Sequence, residues 1–421
     1  MEIKKEVLLN LVEQKKDELF DLLAKLINFN SENFSSYGNE KACAEYIHNY
    51  CKQIGLESEI YSPMDIEGFE KHPDYIPGRG LEDRYNVTAR FRGKEDADEL
   101  MLMGHIDTVE IGDEANWDYP PLSGKIRDGK IYGRGACDDK YAIATALFLI
   151  KLLKEEGFTP KANLLFSAYC DEEYGGSHGA LASVIKYPCD SIVNMDGREG
   201  QIWHCASGGQ VVIYRFHTKE TANSAKLTAS AFPIVMDELE KFAQNRKNEL
   251  SNNRFYSETN IPSTSLRYNE VRAGNNGADM GVGQVMFIYY TDKSKDEIYK
   301  ELSHLENVIA KRLDKIGIEG DGFIPYTRFF SYGFREPDCK AIQNMLDAAR
   351  EADCEVPIVC GSCLSDLSVL LKYGNKNVFA FGAGRDFSKI GGAHQANEYI
   401  ECEKLLAYTK TIAVYILRTL G

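Results

Sequence analysis

The chain has 421 residues, of which 43% are hydrophobic and 27% are charged. This length allows a large core and two domains, and the composition excludes a disordered chain. The formal net charge of −15 at pH 7 argues against a nucleic-acid surface, which needs clustered Lys and Arg. No uncharged apolar run reaches the roughly 18 residues that a membrane span needs. We therefore expect a small-molecule partner, no nucleic acid and no membrane.

The N-terminal segment alternates apolar and charged residues at helical spacing, which predicts neither a signal peptide nor a membrane helix. The eleven cysteines are an odd number, scattered without a compact disulfide framework, and this favours reduced thiols and a cytoplasmic location. Cys360 and Cys363 form a lone C-x-x-C, which we interpret as structural because no second pair accompanies it.

The first predicted elements are helices and strands of one sheet-containing domain. Two amphipathic helices, Val7–Phe29 and Glu40–Ile54, each carry an apolar stripe and are expected to cover a sheet. Two strands, Glu57–Ser62 and Tyr85–Arg92, follow them, with a Pro-rich and Gly-rich loop between.

The strand predicted at Leu100 to Met103 leads to an imidazole and a carboxylate, because Gly104 is followed by His105 and Asp107. In extended backbone, residues two apart point to the same face. Asp107 can then hold one imidazole nitrogen of His105 and leave the other nitrogen for a metal. Taken alone, the pair is more typical of a structural histidine, so a metal site needs partners from elsewhere in the chain.

A hairpin and a helix flank the next candidate, Asp138. The pair Asp128-Gly129 between alternating apolar residues predicts a hairpin turn, and Tyr141–Glu156 is predicted as an apolar helix. Asp138 falls between them, where a loop meets a helix. Helix capping is the ordinary role of an aspartate at such a junction, and metal binding is the alternative.

Three consecutive carboxylates, Asp171, Glu172 and Glu173, follow the apolar strand predicted at Ala162–Ala168. Such charges repel one another unless a cation lies among them. A helix and another strand come next, and that strand leads to Asp196. The order strand, helix, strand predicts a parallel sheet with right-handed crossovers. Open sheets of this class bind ligands at the carboxyl ends of their strands.

The pattern changes near Ser207. We interpret residues 207–315 as an inserted α+β domain, and residues 1–206 and 316–421 as one discontinuous α/β domain whose mostly parallel sheet is flanked by helices. The elements predicted in the insert are the strands Gln210–Lys219 and Gln284–Thr291 and the helices Pro233–Leu250 and Lys293–Lys315.

After the insert, predicted helices again alternate with strands, and residues 391–398 read GGAHQANE. Five motifs then stand in one order along the chain: GHIDTV, GRGACDDK, DEEYGG, the Asp of NMDG and GGAHQANE. In these residues the chain resembles the two-zinc metallopeptidase family of acetylornithine deacetylase, succinyl-diaminopimelate desuccinylase, aminoacylase, the glutamate carboxypeptidases and the carnosinase-type dipeptidases. The match spans most of positions 85–205 and 335–421, and ordered motifs are far more specific than a single one.

The resemblance implies a centre with two divalent metal ions, for which zinc is expected and cobalt or manganese are also suitable. The implied ligands are Asp138 bridging both ions, His105 and Asp196 at one ion, and Glu173 and His394 at the other. Glu172 is implied as the general base beside the attacking water. Asp107 keeps its expected role of orienting the His105 ring.

The resemblance also implies that the α/β domain is catalytic and that the insert is a lid, through which a homodimer is expected. The chain departs from the family in three places. After Asp138 most members have Met-Lys-Gly-Gly, whereas this chain has Asp139-Lys140-Tyr141, a version that looks more like the dipeptidase branch. In the lid, the stretch KETANS carries Asn223 where the family has a histidine that stabilises the oxyanion, and an amide can also donate a hydrogen bond there.

The lid arginine that the family uses for the substrate carboxylate is also missing, so Arg335 and Arg385 are the candidates for that role. Three histidines match no motif, and we interpret them as structural or solvent-facing: His178, His204 and His217.

The sequence thus predicts a cytoplasmic, metal-dependent hydrolase that cleaves the amide bond of a small N-acyl amino acid, as a deacetylase or desuccinylase does, or of a dipeptide. The alternative is a family member that lost catalysis and acts as a binding or regulatory protein, which the divergent lid suggests. All implied ligands and the general base are present, and a protein without catalysis does not need them.

Overall fold

A computed structural model describes residues 3–218, 223–275 and 281–421 of the chain. The helices are α1 (Lys5–Gln14), α2 (Lys16–Ile27), α3 (Lys41–Gln53), α4 (Lys140–Glu155), α5 (His178–Lys186), α6 (Ser224–Ala229), α7 (Phe232–Leu250), α8 (Lys295–Asp314), α9 (Lys340–Glu351), α10 (Leu367–Tyr373) and α11 (Cys402–Leu420). The strands are β1 (Asn33–Phe34), β2 (Tyr37–Gly38), β3 (Glu57–Tyr61), β4 (Asn86–Phe91), β5 (Glu95–His105), β6 (Lys125–Arg127), β7 (Lys130–Tyr132), β8 (Ala162–Tyr169), β9 (Ser191–Asn194), β10 (Gln201–Ala206), β11 (Gly209–Thr218), β12 (Leu266–Asn275), β13 (Gly281–Tyr290), β14 (Glu319–Pro325), β15 (Gly333–Phe334), β16 (Ile358–Cys360), β17 (Asn377–Gly382) and β18 (Tyr399–Glu401).

The chain divides into two compact units. The first comprises Met1–His204, Phe334–Val359 and Val369–Gly421, and the second comprises Cys205–Gly333 and Cys360–Ser368. The second unit therefore continues past residue 315, where the sequence analysis ended the insert. The reason is β14, which pairs antiparallel with β11 and so belongs to the sheet of the second unit.

The large sheet of the first unit has the strand order β15-β10-β17-β9-β5-β8-β4-β3, with β16 paired to β10. Its centre is parallel, since β17 pairs with β9, β9 with β5 and β5 with β8 in the same direction. The outer strands β4, β3 and β10 are antiparallel to their neighbours. The predicted α/β class is confirmed, and the sheet is mixed, with a parallel centre.

Burial explains why the central strands form where the sequence predicts them. All eight residues of β8 are buried, as are the last six residues of β5, so these strands are covered on both faces. Parallel strands of this kind read as continuous apolar runs. Helix α4 is buried nearly all round, which is typical of a helix in the interior of a large domain.

Of two predicted elements of the first unit, the N-terminal helix differs in detail and the hairpin is found as predicted. The helix predicted at Val7–Phe29 is broken into α1 and α2 at Lys15, whose φ of −103° and ψ of 14° are not helical. The hairpin predicted at Asp128-Gly129 is present between β6 and β7, and both turn residues have positive φ, at 50° and 71°. This backbone is the one that a two-residue hairpin turn requires.

The second unit is built on a four-stranded antiparallel sheet with the order β12-β13-β11-β14. Helices α7 and α8 contribute buried apolar residues to its core, among them Leu239 and Ile309, together with Phe287 of β13. The α+β character agrees with the sequence analysis, which predicted β11 and β13 but neither β12 nor β14. β12 alternates apolar residues with charged and polar ones over only part of its length, and β14 begins with two Gly and two acidic residues. Neither strand has the apolar run that marks a strand in the sequence.

The cysteines are free thiols, and the helices were also compared with the requirements of a membrane span. None of the eleven cysteines, all of which the structure describes, forms a disulfide. Cys360 of the C-x-x-C lies in a buried apolar cluster with its Sγ 2.8 Å from the Cys205 Sγ, which agrees with a structural role. Within the described ranges, no helix combines the length and the apolar character needed to cross a membrane.

A buried group of charges supports the loop that follows β8. Asp171 Oδ1 accepts hydrogen bonds from Arg79 Nη2 and Arg84 Nη1, both at 2.7 Å, and Arg84 Nε donates to Glu40 Oε1 at 2.9 Å. The amide of Ile76 donates to His178 Nε2, so the His178 Nδ1 carries the proton that binds Asp171 Oδ2 at 2.6 Å. Burial alone raises the pKa of Asp171, but the Arg84 charge and the His178 hydrogen bond hold that pKa well below its usual range.

Replacing Arg84 by Met is expected to destabilise the first unit by about 3–5 kcal/mol, because Glu40 and Asp171 stay buried without their shared guanidinium. The measurement is the shift of the urea unfolding midpoint. Arg92→Met is the matched control, since Arg92 pairs with Glu57 on the surface, where both side chains are at least half exposed. A midpoint that moves equally little in both variants would contradict a stabilising role for the buried network.

Candidate metal centre

Three neighbouring parallel strands bring the candidate ligands to one edge of the large sheet. β9, β5 and β8 run side by side in the same direction. β5 ends at His105, β8 ends just before the segment Asp171 to Glu173, and β9 ends just before Asp196. The carboxyl ends of these strands therefore present an imidazole and several carboxylates at the same edge.

Asp138 is the centre of the contacts between these groups. Its Oδ1 lies 3.0 Å from His105 Nε2, and its Oδ2 lies 3.3 Å from His394 Nε2. His394 Nε2 also lies 2.8 Å from Glu173 Oε2. Each carboxylate oxygen of Asp138 thus faces a different imidazole, which is the arrangement that a bridging carboxylate needs.

Electrostatics show how closely the buried acids are held. Burial and then the Asp138 charge raise the pKa of Asp196 to about 7. Burial lowers the pKa of His105, but the Asp138 hydrogen bond and the Glu172 charge outweigh it and raise that pKa well above its usual value. Asp196 therefore shares the acidic environment of Asp138, although it follows a different strand.

The donor set is suitable for divalent metal ions. The ligand atoms of His105, Asp138 and Glu173 all lie within 4.8 Å of one another. Across residues 3–218, 223–275 and 281–421, no other three His, Cys, Asp or Glu residues bring their ligand atoms this close. Imidazole nitrogens with carboxylate oxygens are donors that zinc accepts, as do cobalt and manganese. The His394 side chain is 39% exposed, so this side of the group is open to solvent.

Asp107 has a different role from the one predicted. His105 Nδ1 donates to the backbone carbonyl of Asp107 at 2.9 Å, while the Asp107 carboxylate lies 3.7 Å from that nitrogen. The carbonyl therefore sets the ring tautomer and leaves Nε2 for a metal. The Asp107 carboxylate instead accepts the amide N–H groups of Glu172 and Glu173 at 2.9 Å and 3.0 Å, and the Asn33 side chain at 2.7 Å.

Glu398 is a residue that the sequence analysis did not single out. Its buried carboxylate accepts Arg134 Nη1 at 2.7 Å and the Cys137 amide at 2.9 Å, and its carbonyl accepts the Gly133 amide at 2.9 Å. Glu398 follows His394 by four positions, so it ties the His394 loop to the loop that carries Asp138. The only signal in the sequence was that this glutamate ends the GGAHQANE motif.

Gly104 also has a steric reason to be glycine. A Cβ at this position would lie 2.5 Å from Asp139 Oδ2. The same Asp139 oxygen accepts the His105 amide at 3.3 Å, so the strand end and the loop after Asp138 are in direct contact.

The two predicted substrate arginines are used by the protein itself. Arg335 donates to the backbone carbonyls of Lys376, Leu371 and Asn375 near the end of α10. Arg385 donates to the Ile390 carbonyl and pairs with Glu401 at 3.0 Å. Because their guanidinium groups already bind carbonyls or a carboxylate, we do not retain either as a substrate ligand.

The remaining predicted residues lie as follows. Asn223 precedes α6 in the second unit with a φ of 58°, and residues 219–222 of the same stretch lie outside the described residues. His204 is buried and its Nδ1 donates to the Arg335 carbonyl at 2.8 Å, whereas His217 pairs with Asp321 at 2.7 Å. With His178 bound to Asp171, the described contacts of all three histidines agree with the structural interpretation.

Comparison with known proteins places this geometry in a family. Residues 101–418 match Peptidase family M20/M25/M40, which is well over half of the chain. The chain belongs to this family. The resemblance inferred from the five ordered motifs is therefore confirmed, and with it the predicted metal-dependent hydrolase.

Individual relatives of this M20-family chain agree with the assignment. It is 28% identical to an uncharacterized metallohydrolase of Methanocaldococcus jannaschii, over 93% of this chain and 96% of the relative. It is 44% identical to the succinyl-diaminopimelate desuccinylase of Wigglesworthia glossinidia brevipalpis over 80 residues, which are 19% of this chain and 21% of the relative. The structure of human carnosine dipeptidase 1 is similar with a TM-score of 0.74 at 15% identity, over 99% of both chains, and this likeness shows the fold.

Replacing Asp107 by Asn in this M20-family protein is expected to lower metal affinity about 10-fold to 100-fold, the usual effect of losing a group that supports the ligands. The reason is that three N–H donors converge on the Asp107 carboxylate, and an amide would turn its own N–H toward one of them. Titration of the metal-depleted protein with zinc or cobalt measures the affinity. Asp113→Asn, at an exposed carboxylate that caps a short helical turn, serves as control, and equal affinity in both variants would contradict this role of Asp107.

Proposed function

We propose that the chain hydrolyses the amide bond of a small N-acyl amino acid or a dipeptide at a centre of two divalent ions, with zinc as the expected metal. The proposed ligands are His105, Asp138, Glu173, Asp196 and His394. The observation that carries the proposal is Asp138, whose two oxygens face imidazoles that come from β5 and from the loop before β18. A carboxylate in this position can bridge two ions, and paired ions stabilise both the attacking and the leaving group.

Glu172 is the proposed general base. Its amide N–H donates to both oxygens of Asp107, at 3.1 Å and 2.9 Å, which fixes its backbone beside Glu173. The Glu172 charge contributes to the raised pKa of His105, so its carboxylate lies near the imidazole of that proposed ligand. A base beside the ligands can reach a water that attacks a bound amide.

The chemistry divides between the ions and the protein groups. When bound, the ions would polarise the amide carbonyl and lower the pKa of a water to about 7. Glu172 takes the proton of the attacking water and then returns it to the leaving amine. Asp107 keeps the backbone of Glu172 and Glu173 in place during both transfers, and Asn223 is proposed to donate a hydrogen bond to the developing oxyanion.

The names of the similar proteins support the substrate class. One is a succinyl-diaminopimelate desuccinylase and another is a carnosine dipeptidase, and both names describe the release of an amine from an amide. Deacylase and dipeptidase activities are therefore the two forms of the proposal. We assign the first unit to catalysis and the second to a lid with a homodimer contact, in a cytoplasmic protein, as the resemblance implies.

A binding or regulatory protein is the competing hypothesis, because the lid departs from the family pattern at Asn223. The ligand set and Glu172 favour an enzyme, since a protein that only binds a small molecule has no need for a general base beside a metal site. None of the comparisons favours the regulatory form.

Glu172→Gln is expected to reduce turnover about 100-fold to 10,000-fold, the range that a positioned general base contributes, while both metal ions stay bound. The assay is a panel of acetylated and succinylated amino acids and dipeptides, with zinc, cobalt and manganese added in turn, and metal content is measured in parallel. Glu6→Gln, at an exposed carboxylate on α1, is the control. A Glu172→Gln protein that holds two ions and turns over substrate at the wild-type rate would disprove the proposed mechanism.

A further inference from the structure

Tyr141 lies three residues after Asp138, in the first turn of α4. In the Met-Lys-Gly-Gly pattern that the family resemblance implies after Asp138, this position would be a glycine. Its side chain is buried, and its ring packs edge-on against Tyr408 with 5.6 Å between the ring centroids. A phenol in the interior needs hydrogen-bond partners for its hydroxyl. The partners of this hydroxyl therefore show what the large side chain does in place of the glycine.

The Tyr141 hydroxyl contacts the backbone on both sides of Asp196. It lies 2.7 Å from the Met195 carbonyl, to which it donates, and 3.3 Å from the Gly197 carbonyl. The first carbonyl belongs to the peptide that precedes Asp196, and the second lies one peptide beyond Asp196. Fixing both carbonyls restricts the backbone rotation that aims the Asp196 side chain.

The same hydroxyl also reaches the end of β17. The Ala383 amide donates to the Tyr141 oxygen at 3.0 Å. Close packing there has a visible consequence, because a Cβ on Gly382 would lie 2.5 Å from this hydroxyl. One oxygen thus connects the start of α4, the turn that carries Asp196 and the strand end that leads to the His394 loop.

We infer that Tyr141 is a positioning residue of the metal centre, whose hydroxyl holds the turn around Asp196 and so aims that carboxylate at the ion it shares with His105. The inference rests on the proposed function, because it assumes that Asp196 is a ligand. It assigns to this chain a support for one ion that a glycine at the same position lacks. Loss of the hydroxyl then weakens the binding of that ion more than the binding of the ion held by Glu173 and His394.

The test compares Tyr141→Phe with Tyr408→Phe. Tyr408 is a matched control, because it is also buried, packs against the Tyr141 ring, and donates its hydroxyl to a backbone carbonyl, that of Phe381, at 2.8 Å. Each protein is depleted of metal and titrated with cobalt, with calorimetry for the affinity of each ion and visible absorption for its coordination. Thermal unfolding of the metal-depleted proteins reports any general loss of packing.

We expect Tyr141→Phe to lower the binding affinity of one of the two ions about 10-fold to 100-fold, the usual effect of losing a group that supports a ligand. The visible absorption should change for that ion only. Tyr408→Phe keeps wild-type affinity for both. Asp196→Asn identifies the affected ion, and adding Tyr141→Phe to Asp196→Asn produces no further loss if both act on the same ligand.

Three outcomes overturn the inference: a Tyr141→Phe protein that binds both ions as the Tyr408→Phe protein does, a further loss on the Asp196→Asn background, or a Tyr141→Phe protein that unfolds while the control is folded. A wild-type protein that fails to bind two ions would instead contradict the proposed function itself. If the wild type binds two ions and Tyr141→Phe binds both with unchanged affinity, only the role of Tyr141 is contradicted.

Discussion

Repulsion between buried acids is the constraint on which this structure depends. The parallel strands β8 and β9 lead to the carboxylates of Glu173 and Asp196 at one edge of the sheet, and the loop before α4 adds the carboxylate of Asp138. Burial strengthens every interaction between these groups. Burial and then the Asp138 charge raise the pKa of Asp196 to about 7, which agrees with this crowding. Cations must compensate these negative charges if the three acids are to be ionised together. The imidazoles of His105 and His394 alone can carry at most two positive charges, which is too few.

The protein compensates its acids in two different ways on the two sides of one loop. On the inner side, the Asp171 carboxylate accepts hydrogen bonds from Arg79, Arg84 and His178, so its charge is compensated inside the fold. On the outer side, Glu173 faces an imidazole that is open to solvent. Adjacent residues in the DEE sequence therefore differ in their surroundings: the first anchors the loop, and the two after it are the ones proposed to act at the centre.

Much of the site could be predicted because its signals are local in sequence. His105, Asp138, Glu173 and Asp196 follow apolar strands or precede an apolar helix, and periodicity shows where such elements end. The role of Asp107 could not be predicted, because a period of two places its carboxylate beside His105 but does not show that two backbone amides compete for it. The same limit applies to Arg335 and Arg385, whose acceptors are carbonyls at positions that no motif marks. β12 and β14 were missed because edge strands of polar sequence take their order from pairing with β13 and β11.

The contact between Glu398 and the Gly133–Cys137 loop has a consequence for when the protein becomes active. Glu398 and His394 lie in the last part of the chain, whereas the Asp138 loop that they complete belongs to its first half. During synthesis the earlier segments leave the ribosome first, and the first-half ligands are then without the partner that completes the proposed centre. A chain that ends before residue 394 therefore lacks one of the five proposed metal ligands, and the proposed centre is complete only after this late part of the chain has been made.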